Sequence, residues 1–152
     1  MKSTKRYGKK IDAALSMWVK LARAHSTFAK LADDNIRSFG LTPPQFGALE
    51  CLGHLGPMTI GDLCKKQLVS GGNMTVVVDN LAKDGLVERI PSKEDRRAIV
   101  VLLTSKGKKL FNDIFLRHAK FVASTTSVLT EKEQEELAVL LKKLGTSLGR
   151  GN

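Results

Sequence analysis

Residues 86–107 read LVERIPSKEDRRAIVVLLTSKG, and the period of the apolar residues changes inside them. Leu86-Val87-Glu88-Arg89-Ile90 and Ala98 to Leu103 are β-branched, aliphatic runs of strand length. Between them Pro91-Ser92-Lys93-Glu94-Asp95-Arg96-Arg97 holds five charges in seven residues, which no buried segment would tolerate. Two strands around a charged turn predict a β-hairpin with its tip in solvent. Thr104 then stands as N-cap for a helix carrying Leu110, Ile114, Phe121 and Val122 at helical steps.

Upstream, three short helices precede the hairpin. Thr42-Pro43-Pro44-Gln45 is a helix start, with a capping threonine, proline at the first helical position and glutamine to close a capping box. That helix carries Phe46, Leu49, Leu52 and Leu55 and ends near Gly56-Pro57. Thr59 and Asp62 open a second, with Leu63 facing inward. Ser70-Gly71-Gly72-Asn73 breaks the chain and opens a third, which runs through Asp84, buries Met74, Val77, Val78 and Leu81, and is closed by Gly85. Short helices joined by tight turns form a helix-turn-helix. Followed by a hairpin with a charged tip, they form a winged helix.

The flanks are helical. Residues 10–39 place Ile11, Leu15, Trp18, Ala22, His25, Ala29, Ala32 and Ile36 on one stripe, widened by Leu21, Phe28 and Leu31, with Gly40 as C-cap. Thr130-Glu131-Lys132-Glu133 is a capping box for a last helix with Leu137, Leu140, Leu141, Leu144 and Leu148 on a narrow stripe. The apolar faces of these helices need cover, from the chain's own core or from a partner, and they fit best packed together across a two-fold axis between copies. The expected fold is mainly α with a small β-hairpin wing. Residues 1–40 form an N-terminal dimerisation helix, residues 41–109 a winged helix-turn-helix and residues 110–152 C-terminal dimerisation helices, within one structural domain.

The charge agrees. The 152 residues carry 25 Lys and Arg against 15 Asp and Glu, a net of +10, which favours a polyanionic partner. Residues 1–40 contribute +6 and residues 70–109 +3, so the larger share lies outside the reading elements and serves steering and backbone affinity. The longest aliphatic run has six residues, far short of the roughly 20 that span a bilayer, and no apolar signal core follows the basic N-terminus. Two cysteines make no disulfide scaffold, and a reducing cytoplasm is the expected compartment.

With Met74, Val77, Val78 and Leu81 inward, the third helix presents Asn73, Thr75, Val76, Asp79, Asn80 and Lys83 outward. Asn bonds adenine edges in both directions, and Thr or Val methyls meet the thymine methyl. Gly71 and Gly72 let backbone N–H groups approach a phosphate. Lys93, Arg96 and Arg97 at the hairpin tip suit the minor groove, with Asp95 to orient a neighbouring guanidinium.

Taken together, Leu86-Val87-Glu88-Arg89, Asp95-Arg96-Arg97 and Val101-Leu102-Leu103-Thr104-Ser105-Lys106-Gly107 closely resemble the signature of MarR-type winged-helix regulators. The resemblance covers the whole chain. Ser70-Gly71-Gly72-Asn73-Met74-Thr75 with Val78-Asp79-Asn80-Leu81 looks most like the branch that includes quinone- and phenol-responsive repressors. It implies a homodimer on a pseudo-palindromic DNA operator. Ser70, Asn73 and Thr75 fall on recognition-helix positions, Arg97 on the minor-groove arginine and Asp95 on the residue that positions it. The chain departs at Val76, where many members carry a polar or basic residue. Release by a small aromatic or phenolic effector is implied too, with His25, Phe28 and Phe46 as aromatic candidates where the dimerisation helices meet the winged unit.

Other readings make different demands. A sequence-tolerant architectural DNA protein would also be basic. The resemblance implies that a redox-sensing member would keep its reactive cysteine in the first helix, which holds none here; Cys51 and Cys64 fall in the short helices, and Cys51 sits among apolar residues. Cys51, His54 and Cys64 are too few for a closed zinc site. The chain has no phosphate-binding glycine loop, HExxH or nucleophile elbow, so neither an enzyme nor a cofactor is expected.

Overall fold

A computed structural model describes residues 7–67, 71–92 and 98–149. Its elements are α1 (Lys9–Arg37), α2 (Pro43–Leu55), β1 (Met58–Thr59), α3 (Ile60–Gln67), α4 (Gly71–Lys83), β2 (Val87–Pro91), β3 (Ile99–Leu103), α5 (Ser105–Thr126) and α6 (Glu131–Gly149). Two compact units are distinguished, one ending at Asn112 and one beginning at Asp113.

In the first unit, helix boundaries follow local chemistry. The Thr42 hydroxyl accepts from the Gln45 N–H, and the Gln45 side chain accepts from the Thr42 N–H at 2.9 Å, a complete capping box on α2. Helix α2 stops at Gly56, whose φ of 82° is open to glycine at little cost. At α3 the Asp62 N–H donates to the Thr59 hydroxyl, which donates back to the carboxylate at 2.7 Å. That hydroxyl bond, then Lys65, holds the Asp62 carboxyl below its ordinary range.

The core lies where α2, α3 and α4 meet the sheet. Leu49, Leu63, Met74, Val78, Leu81 and Val101 have no accessible surface. Each such side chain contributes about 1.5–3 kcal/mol by leaving water. Val77, expected inside with them, is half-buried.

The sheet has three strands where the sequence suggested two. The order is β1-β3-β2, all antiparallel, with Met58 opposite Val101 and Thr59 opposite Val100. Two residues carry no readable period; Gly56 and Pro57 turn the chain so that they run beside β3. In the hairpin itself Val87 pairs with Leu103, Arg89 with Val101 and Pro91 with Ile99. Pro91 ends β2, an edge strand, where a missing N–H donor is tolerated.

The second unit holds residues 113–126 of α5 and all of α6. Thr130 and Glu133 form the expected capping box, with Glu133 accepting from the Thr130 N–H at 2.8 Å and its hydroxyl at 2.9 Å. These bonds, the backbone one foremost, lower the Glu133 carboxyl below its ordinary range. The α6 leucines are largely open: Leu140 is 63% exposed and Leu148 70%. Among the described residues no helix is long and apolar enough to cross a membrane.

Candidate nucleic-acid interface

Helix α4 divides cleanly by burial. Met74, Val78 and Leu81 point into the core, while Gly72, Asn73, Thr75, Val76, Asn80 and Lys83 are all exposed. At 100° per residue the exposed arc has Thr75 and Asp79 on one edge, Asn73 and Asn80 on the other, and Val76 and Lys83 between. Val76 is 58% exposed, and a valine held in water on a polar face is available for contact with a methyl group. The first turn of α4 holds no acidic residue. Ser70 and the wing-tip residues Lys93, Asp95, Arg96 and Arg97 lie outside the described residues.

The C-terminal end of α4 is tightly organised. Gly85 takes a φ of 68°, its N–H bonds the Ala82 carbonyl, and the Leu86 N–H bonds the Leu81 carbonyl, a Schellman motif. Thr104 donates its hydroxyl to the Gly85 carbonyl at 2.7 Å, and Lys106 donates to the Asp84 carbonyl at 2.7 Å. The Thr104 oxygen also accepts from the Gly107 N–H at 3.0 Å. A Cβ at Gly107 would run into the Leu86 carbonyl oxygen, so only glycine lets α5 start this close to the hairpin base.

One contact was not foreseen in the residue pattern. Arg89, on β2, forms an ion pair with Asp79 at 2.6 Å and donates to the Thr75 carbonyl at 3.3 Å. Asp79 therefore belongs to a helix–wing contact rather than to the open reading face. The only signal in the sequence was an acid and a base ten residues apart, and that spacing fixes nothing before the hairpin's position is known.

The three aromatic candidates do not converge. His25 is exposed on α1, Phe28 is half-buried one turn on, and Phe46 is a core residue of α2 at 4% exposure. Phe46, named as an effector candidate, leaves little surface open to contact in this structure. Within one chain α1 is open along much of its length, with Trp18 61% exposed. An open cavity of about 370 Å³ does occur in the first unit, between the end of α2, the end of β3 and the start of α5, bordered by Leu52, Pro57, Leu102, Lys108 and Phe111. None of the three candidates lines it.

Cys51 and Cys64 sit on α2 and α3, both half-buried thiols. Cys51 accepts a bond from Gln67 Nε2 at 3.1 Å, and the same amide donates to the Gly47 carbonyl at 3.2 Å. The amide thus ties α3 to α2. Among the described residues no group of three or more His, Cys, Asp or Glu is placed to hold a metal ion.

A reading helix with one side buried, braced against a hairpin, is the form of a winged DNA-binding unit. The model of the MarR family matches residues 41–99. The chain is 35% identical over 134 residues to the HTH-type transcriptional regulator MhqR of Bacillus subtilis, covering 88% of this chain and 92% of that protein. The chain belongs to the MarR family. It is similar, at 28% identity over 120 residues and 77% of each chain, to the HTH-type transcriptional repressor MdtR of Bacillus subtilis. Among solved structures it resembles a MarR mutant from E. coli complexed with operator DNA, with a TM-score of 0.75, 25% identity, and 90% of this chain and 99% of that one covered. As a MarR-family transcriptional regulator it binds DNA and is not an enzyme.

Proposed function

We propose that this regulator is a homodimeric repressor that holds a pseudo-palindromic double-stranded operator and is released by a small aromatic or phenolic effector. The observation that carries the DNA reading is the open face of α4, which lies opposite a side with no accessible surface. A helix anchored this firmly presents side chains in fixed directions, as base reading requires. Asn73 and Asn80 take adenine edges, Thr75 and Val76 the thymine methyl, and Ser70 a neighbouring edge or phosphate. Gly72 offers backbone N–H groups and Lys83 an ammonium to phosphates. Lys93, Arg96 and Arg97 enter the flanking minor groove, with Asp95 orienting Arg97.

The dimer reading is supported by the exposed apolar side chains of α1 and α6, which a second copy would cover. Paired recognition helices would then meet half-sites about 34–36 Å apart. For the effector, His25 and Phe28 are the two of the three aromatic candidates that keep appreciable accessible surface; the repressor name of the MdtR relative supports the sign of regulation. A cytoplasmic location fits two free thiols.

The test is a fluorescence-anisotropy titration of the DNA flanking its own gene against random duplex of equal length. A regulator prefers the operator by roughly 10³ or more. Near-equal affinities would show a sequence-tolerant architectural protein instead. Adding phenols and quinones should weaken operator binding alone. Arg97→Ala should weaken it about tenfold with the dimer intact; unchanged affinity at fixed salt would remove the wing from the interface.

A further inference from the structure

We infer that Arg89 and Asp79 are positioning residues for DNA reading: their ion pair clamps the wing to the recognition helix, so that both present to the duplex in one fixed frame. The inference rests on the operator reading above, and its test has a separate readout.

The guanidinium of Arg89 holds two acceptors on consecutive turns of α4, the Asp79 carboxylate at 2.6 Å and the Thr75 carbonyl at 3.3 Å. Residues four apart lie on the same edge of a helix, so the fork spans one full turn. A planar guanidinium with donors in a rigid fork fixes orientation as well as distance. On its own strand Arg89 is paired with Val101, which has no accessible surface. One end of the clamp is thus rooted in the central strand of the sheet. Beyond it β2 continues only through Ile90 and Pro91 towards the tip.

The location decides what the clamp does. Thr75 exposes its side chain on the reading face while its carbonyl is held by the wing strand. A swing of the hairpin relative to α4 would stretch both contacts at once. The clamp also covers a carboxylate beside the face that meets a polyanion, and it withdraws the Arg89 charge from phosphate contact. Both charged groups are partly exposed, with side chains at 32% and 44%, so the pair adds little to global stability. Its effect is on geometry.

Asp79→Asn separates geometry from charge by sign. If Asp79 acted only as a negative charge near DNA, removing it would tighten binding to every duplex. If it positions the wing, operator affinity falls roughly fivefold, random-duplex affinity does not fall, and the preference between them shrinks. Arg89→Lys keeps the charge but loses the fork, and should show the same loss in smaller degree. Hydrogen exchange of the β2 and β3 amides in the free protein reads the clamp without DNA: exchange should quicken several-fold in Asp79→Asn while the melting temperature stays close to that of the parent. Unchanged exchange, or an unchanged operator-to-random ratio in both variants, overturns the inference. A parent protein with no operator preference overturns the operator reading instead, while exchange still tests the clamp.

Discussion

Helices α4 and α6 carry similar stripes of apolar residues and meet opposite fates. In α4 the stripe of Met74, Val78 and Leu81 is closed completely by α2, α3 and the sheet. In α6 every leucine named in the stripe keeps accessible surface, and Leu137, Leu140, Leu141 and Leu148 are open. An amphipathic helix works through whichever face the chain leaves uncovered. For α4 that is the polar face, whose side chains in fixed directions suit the reading of base edges proposed above. For α6 it is the apolar face, and exposed leucines gain about 1.5–3 kcal/mol each when fully covered. Helix α1 sides with α6, since Ile11, Leu15 and Trp18 are open.

The sharpest way to break this contrast is to damage both stripes. Leu81→Ala leaves a cavity in a packed core and should cost about 2–5 kcal/mol, read as a lower urea midpoint. Leu140→Glu with Leu148→Glu touches side chains already in water within one chain. It should leave circular dichroism unchanged and convert the dimer to monomer in analytical ultracentrifugation. The parent's melting temperature should rise with protein concentration and that of the double variant should not, because assembly stabilises the folded state by mass action. A double variant that sediments like the parent would mean that the α6 leucines are not an interface.

The same contrast explains how far the sequence could be read. The α4 stripe was legible because its cover comes from the same chain: Met74, Val78 and Leu81 recur at helical steps, and threonine caps and Gly85 mark nearby ends. The two-residue strand β1 was not legible, since Met58 and Thr59 become a strand only beside β3. Nor was the Arg89–Asp79 pair, which depends on where the hairpin lies against the helix. The burial of Phe46 was not legible either, because an aromatic residue near a helix start looks the same in sequence whether it faces a pocket or a core. The α1 and α6 stripes show a need for cover, and the expectation that a second copy supplies it rests on the resemblance and not on the stripes alone.

A smaller effect probes how the two helices begin. The first turn of α6 contains Glu131 and Glu133, whereas that of α4 contains no acid. Helix N-termini favour negative charge. Helix α6 therefore supplies its own, through a Glu133 carboxylate bound to the N–H and hydroxyl of Thr130. If α4 meets a phosphate at Gly72, as proposed above, that anion serves the same end from outside. The Glu133 carboxyl is lowered in the folded protein, so its contribution is present above the ordinary carboxylate range and is lost as pH falls through the lowered folded value. Glu133→Gln keeps an acceptor oxygen but does not titrate. Its melting temperature should lie slightly below the parent's at neutral pH, and the gap should close as the solution is acidified through and below the carboxylate range. A gap that persists unchanged in acid would show that the charge contributes nothing to the start of α6. Operator affinity at neutral pH should not respond to this variant, because Glu133 caps a helix whose working face is apolar.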